Sequence, residues 1–161
     1  MHGGIVLNPK TLQRIESRGG QGGHYYKNTL PSWIPKIPAI WGDSIFNTNA
    51  VGTSYYQEAL ERIVGGRRDA SVYCTVIAML SKESNNSHDV NAVAVKIDGE
   101  VVGHLSQDIN LQFRNELEAL GVLGDIQCRA MIVGGWSNNE NDVGKFGIKL
   151  GFIFPIELRR I

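Results

Sequence analysis

The sequence predicts a mainly β fold with two helices, arranged as a small, partly open antiparallel barrel. Its strand-forming segments are rich in β-branched and aromatic residues and are separated by turn signals. Two segments after residue 50 carry apolar residues at helical spacing, and each ends at a glycine. The predicted order is helix, strand, hairpin, helix, strand, strand. This order favours an antiparallel barrel over the alternating strands and helices of a parallel sheet.

The first predicted helix begins after Val51 and is followed by a long strand. Ser54 and Gln57 have the spacing of a capping box, in which two side chains satisfy backbone N–H groups at the start of a helix. The double glycine at 65–66 ends the helix, and residues 71–80 predict the strand. The apolar side chains of this helix recur at helical intervals, at Tyr56, Ala59, Leu60, Ile63 and Val64.

A β-hairpin is predicted next. Residues 92–97 and 100–105 alternate strand-forming side chains on either side of Asp98 and Gly99. An Asp-Gly pair supplies the positive φ angles that a two-residue hairpin turn requires. The hairpin is preceded by a cluster of His, Asp and Asn side chains that the turn itself does not explain.

A second helix and two more strands complete the domain. The helix begins near Ser106 and ends at Gly121. The strands are predicted at about 125–133 and 145–154, on either side of the polar loop GGWSNNENDVG. One face of the helix is apolar and is formed by Ile109, Phe113, Leu117 and Leu120.

Residues 1–49 are predicted to form an arm outside the compact domain at 50–161. The segment is rich in Gly and Pro, which argues against regular structure beyond one short helix with Asn8 as N-cap and Gly19 just past its end. Its aromatic residues are too many for a free linker, so we expect the arm to dock on the domain or on a partner. These aromatic residues are Tyr25, Tyr26, Trp33, Trp41 and Phe46.

Charge is unevenly distributed, although the formal net charge is zero. Residues 1–50 carry five Lys or Arg against two acidic residues, so this part is +3 and the remainder is −3. Nucleic-acid-binding surfaces usually show a basic stripe. The cations after residue 50 would form one only if folding gathered them on one face, and they include Arg67, Arg68, Lys82, Lys145 and Lys149.

The absence of characteristic motifs argues against several classes of protein. Cys74 and Cys128 lie in predicted strands without metal-ligand spacing, so we expect buried free thiols and no metal or other cofactor. Nucleotide-binding loops, G-x-S-x-G elbows and nuclease carboxylate clusters are missing, which predicts a non-enzymatic protein. The chain also lacks a membrane-length apolar run and a secretory signal at its start, so we expect a cytoplasmic protein.

The motifs GTSYYQEAL (52–60) and SHDVNAVAVKIDGEVVGHL (87–105), with the long strand between them and the helix that follows, resemble the HIRAN domain family. The resemblance covers about residues 50–155. It implies an OB-like antiparallel β-barrel with two helices, in a stand-alone bacterial or phage protein. In eukaryotic members of the family, the domain captures the 3′-hydroxyl end of single-stranded DNA, so the resemblance implies this partner here.

The resemblance also implies which residues bind DNA. Asp89 matches the aspartate that accepts the terminal hydroxyl, and Tyr55 matches a tyrosine of the DNA pocket. His88 stands where eukaryotic members have a second tyrosine. Phe146 matches a late aromatic on which a base stacks, and Trp136 is the alternative platform. Arg67, Arg68 and Lys82 are the candidate phosphate contacts.

Each of these residues also has a purely structural interpretation. Asp89 and Asn91 can form a side-chain-to-backbone turn before the strand. Tyr56 and Phe146 can be core residues, and His88 can be a solvated loop residue. The two arginines at 67–68 can be a solvated helix end.

Two functional classes therefore stay open. The first is a module that binds single-stranded DNA at its 3′-hydroxyl end. The second is a protein-interaction or assembly module without DNA binding, whose partner would contact residues 1–49. Two departures from the family favour the second class: Ser54 stands where the DNA-binding members have an arginine, and the domain is net acidic.

Overall fold

The computed structural model describes residues 12–16, 23–27, 30–42 and 45–159, which form a mostly β fold with two helices. The helices are α1 (Gln57–Val64), preceded by a short 3-10 helix (Thr53–Tyr56), and α2 (Gln107–Ala119). The strands are β1 (Gln13–Glu16), β2 (Gly23–Tyr26), β3 (Ala39–Ile40), β4 (Thr48–Asn49), β5 (Val72–Lys82), β6 (Val93–Ile97), β7 (Glu100–His104), β8 (Ile126–Gly134), β9 (Ser137–Asn139), β10 (Asp142–Val143), β11 (Phe146–Leu150) and β12 (Leu158–Arg159). None of the helices in these ranges is long and apolar enough to cross a membrane.

The helices and the hairpin predicted after residue 50 are confirmed. Asp98 and Gly99 have φ angles of 51° and 80°, as the two-residue turn between β6 and β7 requires. Ser106 caps α2, because its hydroxyl accepts a 3.3 Å hydrogen bond from the Asp108 N–H, and the helix ends before Gly121. The predicted capping box of α1 is wrong, because no side chain caps either α1 or the 3-10 helix before it.

Gln57 bonds to a distant strand instead of capping its own helix. Its Oε1 accepts a 2.8 Å hydrogen bond from the Phe146 N–H, and its Nε2 donates to the Phe146 carbonyl at 3.0 Å. Gln57 therefore ties the start of α1 to the start of β11. This contact spans 89 residues of sequence, so a local capping pattern gave no indication of it.

The helix predicted in the arm is wrong for the part that the structure describes. Residues 13–16 form β1, which pairs antiparallel with β2. The Arg14 guanidinium donates to the Tyr25 hydroxyl at 3.0 Å and to Asp69, and the Tyr25 hydroxyl donates to Asp69 at 2.8 Å. The hydrogen bonds from Tyr25 and Arg14 hold the pKa of Asp69 below its usual value. These contacts with the domain override the local helical pattern, whose proposed caps Asn8 and Gly19 lie outside the described residues.

The two longest strands, β5 and β8, form the centre of the sheet. They pair antiparallel from Val72 opposite Gly134 to Leu80 opposite Ile126. The sheet runs in the order β1-β2-β5-β8-β11-β4, with β6 also paired to β5, β7 to β6, and β3 to both β8 and β12. The polar loop forms a separate β9–β10 hairpin. No ladder among the described strands closes the sheet, so the OB-like barrel stays a prediction.

The core lies on one face of the β5–β8 pair, against both helices. Even-numbered residues of both strands point into it, as a side-chain period of two requires. Cys74 and Cys128 are among them, and both are free and buried, as predicted. Burial raises the pKa of the Cys74 thiol to about 11 and that of the Cys128 thiol to about 12, so neither is a reactive thiolate at neutral pH.

The described part of the arm at 34–37 docks on the other face of this pair, which is one of the two docking outcomes predicted for the arm. Gln127 of β8 is 0% exposed and uses its side-chain amide to bind arm backbone. Its Oε1 accepts from the Ile34 N–H at 2.8 Å, and its Nε2 donates to the carbonyls of Ile34 and Ile37 at 2.8 and 2.9 Å. Beyond these contacts, Ala39 of β3 pairs parallel with Gln127.

Candidate functional site

The loop between β5 and β6 carries the His-Asp-x-Asn cluster, and its own side chains fold it. The Asn86 Oδ1 accepts hydrogen bonds from the N–H groups of His88 and Asp89, at 2.9 and 3.0 Å. The Asp89 Oδ1 accepts from the Asn91 N–H at 2.8 Å. These are side-chain-to-backbone turns of the kind that Asn and Asp favour. The structural interpretation of Asp89 is therefore confirmed, and its carboxylate is held in one orientation.

Side chains of helix α2 hold this loop in place by hydrogen bonds. The Asn110 Nδ2 donates to the Asp89 Oδ2 at 2.5 Å. One helical turn later, Arg114 donates to the carbonyl oxygens of Asn91 and Ala92 at 2.8 Å each and of Glu83 at 3.0 Å. Asn110 is only 2% exposed, and its Oδ1 has no hydrogen-bond partner among the described residues. An acceptor without a protein partner thus lies beside the Asp89 carboxylate.

Asn110 and Arg114 were missed at the level of sequence, although a signal was present. They lie four residues apart, on the same side of α2 as the buried Phe113 and Leu117. A buried polar residue on an apolar helix face needs a hydrogen-bond partner. The preceding loop offers several such partners, so the two residues could have been connected to it.

A second set of contacts joins the loop to the segment that carries the tyrosines. The Glu83 Oε1 lies 2.7 Å from the His104 Nε2 of β7 and 3.3 Å from the Asn86 Nδ2. The ring of His104 faces Tyr56, with 6.4 Å between ring centroids. Tyr56 packs against the core, as its structural interpretation predicts. Tyr56, His104 and Glu83 therefore connect the 3-10 helix with the Asp89 loop.

Tyr55 faces solvent. Its side chain is 86% exposed, so the core does not explain it. It lines an open surface depression of about 600 Å³ at the start of α1. The other residues that line this depression are Ser54, Tyr56, Gln57, Glu58, Ala59 and Arg62.

A comparison with protein-family models gives a match to the HIRAN domain over residues 44–134, which is more than half of the chain. The chain belongs to the HIRAN domain family. HIRAN domains are generally nucleic-acid-binding domains, so the match supports DNA binding. The matched range contains Tyr55, the Asp89 loop and the α2 residues that hold it. No curated protein and no solved structure matched the chain.

Phe146 lies beyond the HIRAN match and is not available for stacking. Its ring is 1% exposed, and the guanidinium carbon of Arg67 lies 4.8 Å from its centroid. Gly135 packs against the same ring, because a β-carbon at Gly135 would lie 1.8 Å from it. The interpretation of Phe146 as a platform for a base is therefore corrected to a core residue. Trp136 is half-buried, with Gly144 packed closely against its indole.

The two arginines after α1 serve structural roles. Arg67 pairs with Glu61 at 2.9 Å and donates to the Gly144 carbonyl at 2.5 Å. Arg68 donates to the carbonyls of Val64 and Gly66, at 3.3 and 3.1 Å. Both are half-buried; Arg68 binds carbonyls at the end of the helix and Arg67 binds one just before β11, so they are not the solvated pair that a helix end suggests.

The structure brings some of the predicted site residues together and separates others. Lys82, His88 and Asp89 lie at or after the C-terminal end of β5, whereas Arg67 and Arg68 precede its N-terminal end. The strand is 11 residues long, and its ends are about 33 Å apart along the chain at about 3.3 Å per residue. These cations therefore do not form one basic stripe around Asp89.

Proposed function

We propose that this HIRAN domain binds single-stranded DNA at its 3′-hydroxyl end and acts by binding alone. The observation that carries the proposal is the near-complete exposure of Tyr55 beside an open depression, in a chain of a nucleic-acid-binding family. In this proposal the last base stacks on Tyr55, Asp89 accepts the hydrogen bond of the terminal hydroxyl, and His88 and Lys82 lie toward the phosphates.

The state of Asp89 suits this role. A carboxylate has about four lone-pair positions, and two protein donors use only part of this capacity. A carboxylate that is already fixed loses little freedom when a hydroxyl binds to it.

The charge of the domain limits the affinity. Ser54 lies at the depression where the DNA-binding members of the family have an arginine, and Arg114 is engaged with backbone oxygens. Few cations are left near Asp89 for phosphates. Binding at this site is therefore expected to be weak and to fall further as the salt concentration rises.

We also propose that the sheet curls into the OB-like barrel of the family. Val51 supports this proposal. It exchanges two backbone hydrogen bonds with His104 of β7, at 2.8 and 2.9 Å. The adjoining strand β4 pairs with β11. The segment 48–51 thus contacts strands from both sides of the sheet.

The proposed end recognition is tested by anisotropy titrations with two oligonucleotides that differ only in a 3′-hydroxyl or a 3′-phosphate. The phosphate removes the donor and places like charge against Asp89. A charge-assisted hydrogen bond contributes about 1.5–3 kcal/mol, so the 3′-phosphate strand should bind at least about tenfold more weakly. Tyr55→Ala should weaken both strands by about 1–3 kcal/mol, whereas Leu123→Ala, another exposed apolar residue, should change neither.

Two variants distinguish the loss of the Asp89 carboxylate from the loss of the contact that holds its loop. Asp89→Ala should abolish the preference for the 3′-hydroxyl. Asn110→Ala removes the support of α2 but keeps the carboxylate, so it should retain most of the preference. Equal affinity of the wild-type protein for the two ends, or no binding at low salt, would reject end capture in favour of a protein-interaction module.

A further inference from the structure

Two tryptophans of the arm and two arginines of the domain form a cation–aromatic cluster, and none of the four lies in the family motifs at 52–60 and 87–105. The guanidinium carbon of Arg159 lies 5.2 Å from the ring centroid of Trp41 and 5.8 Å from that of Trp33. The guanidinium carbon of Arg129 lies 4.2 Å from the ring of Trp33. We call Trp33, Trp41, Arg129 and Arg159 the tryptophan cluster.

Backbone pairing places the members of this cluster. Arg159 of β12 lies opposite Ala39 of β3, and the Trp41 N–H, immediately after β3, donates to the Glu157 carbonyl at 2.7 Å. Arg129 of β8 also donates to the Pro31 carbonyl at 2.9 Å. The arm and the C-terminal strand are therefore held in register on either side of the cluster.

The inner and outer halves of the cluster differ in exposure. Arg129 is buried and Trp33 is half-buried, so their contact explains how the arm attaches to β8. Trp41 remains 55% exposed even with a guanidinium over its ring. The accessible indole beside a guanidinium is a flat surface of the kind on which unpaired bases stack.

We propose that Trp41 and Arg159 form a second contact for single-stranded nucleic acid, separate from the end site at Asp89. A base stacks on the accessible part of the Trp41 indole, and the Arg159 guanidinium lies beside it to pair with a phosphate. This contact rests on the proposed function in so far as the chain must bind single strands. It does not require recognition of a 3′ hydroxyl.

Charge favours a polyanion over an apolar protein partner at this surface. Residues 1–50 carry +3, whereas the rest of the chain carries −3. Among the described residues, the exposed Lys36 lies in the same segment, and the exposed Glu157 contacts Trp41 through its backbone carbonyl. Trp41 lies in the basic part of the chain, and Arg159 beside its ring supplies the kind of phosphate contact that is scarce around Asp89.

The topology places the second contact at the same end of the sheet as the Asp89 loop. Ala39 pairs with Gln127, and Gln127 pairs with Met79, three residues before the end of β5. Neighbouring strands lie about 4.8 Å apart, so β3 and β5 are about 10 Å apart at this level. The rest of β5 and the loop to Asp89 add to this lateral spacing, so one strand must cover several nucleotides to engage both contacts, as single-strand-binding folds with sites of about 4–16 nucleotides do.

The test uses the full chain and a fluorescent oligothymidylate of about 16 nucleotides, prepared with a 3′-hydroxyl and with a 3′-phosphate. Trp41→Ala should weaken binding of both strands by roughly 5- to 100-fold, since one stacked base is lost. The ratio of the two affinities should not change. Arg159→Gln should lower the slope of log affinity against log salt by about 0.7, the value for one phosphate of a single strand, and Arg159→Lys should restore that slope.

Leu30→Ala is the matched control, because Leu30 is another exposed apolar residue of the arm and is not a member of the tryptophan cluster. Thermal unfolding checks that each variant folds as the wild type does, and Trp41→Phe, which keeps a stacking ring, should recover part of the affinity.

Equal affinity of the wild-type protein for the two 3′ ends, together with weaker binding by Trp41→Ala, would reject end capture and support the second contact. An end preference that Trp41→Ala leaves intact, with unchanged affinity, would overturn the second contact and retain end capture. Absence of binding to either strand would overturn both.

Discussion

The Asp89 carboxylate accepts one hydrogen bond from the Asn91 N–H and another from the Asn110 side chain, so it has a structural role before any ligand arrives. This role explains the order of the His-Asp-x-Asn cluster. Asp89 starts the turn, the Asn91 N–H closes it, and Ala92 leads into β6. His88 stays exposed because only its backbone takes part in the turn. The proposed binding role would thus fall on a carboxylate that already holds the loop.

Loss of this carboxylate should destabilise the domain. Asp89→Ala leaves the buried Asn110 amide without its acceptor, which typically costs about 1–3 kcal/mol. Urea unfolding should show a lower midpoint at an unchanged slope. Asp125→Ala removes an exposed aspartate and should change the free energy of unfolding by less than about 0.5 kcal/mol. Equal small effects of the two substitutions would show that the Asp89–Asn110 contact does not stabilise the fold.

At the scale of elements, α2 combines an apolar and a polar contact surface. Phe113 and Leu117 enter the core, while Asn110 and Arg114 bind the loop between β5 and β6. The loop is therefore part of the helix interface, although it carries no regular structure. Three of its carbonyl groups accept hydrogen bonds from the Arg114 guanidinium, as buried or partly buried backbone groups require partners.

Arg114→Lys should loosen this loop even though the charge is kept. A lysine ammonium cannot reproduce the planar fork that lets Arg114 reach three carbonyl oxygens. We expect a loss of about 1.5–3 kcal/mol in the free energy of unfolding and faster amide exchange over residues 83–92. Arg62→Lys, at an exposed arginine paired with Glu100, is the control and should be nearly neutral. Similar exchange rates in both variants would contradict the role given to Arg114.

Local signals predicted the elements after residue 50 but not the contacts between them. Ser106, Gly121 and the Asp98–Gly99 pair act within a few residues, so their effect is visible in the sequence. Gln57 matched a local capping pattern and yet bonds to β11, because a distant backbone group offered two hydrogen bonds. Phe146 fitted both a core strand and a stacking platform, and its burial beneath Arg67 and Gly135 distinguishes them.

At the scale of the whole molecule, the arm is the part that the sequence described least well. Composition indicated an extended segment that docks, and strands β3 and β4 do so by joining the main sheet. The short strands of the arm carry no alternating pattern of their own, because each has only two to four residues. Their conformation is set by the edges of β5, β8 and β11 against which they pair.

Gln127→Leu should release the arm from β8 and so test whether arm and domain are stabilised together. Leucine has a similar volume but leaves the Ile34 N–H and two arm carbonyls without these partners. This should lower the free energy of unfolding by about 2 kcal/mol or more. Hydrogen exchange should accelerate over residues 30–40 while the β6–β7 hairpin stays protected. Gln112→Leu, on the exposed face of α2, is the matched control. If the tryptophan cluster binds nucleic acid as proposed, Gln127→Leu should also weaken binding of the 3′-phosphate strand, because Trp41 and Arg159 are aligned only while the arm is docked. Unchanged exchange over the arm would show that Trp33 and β3 hold it without Gln127.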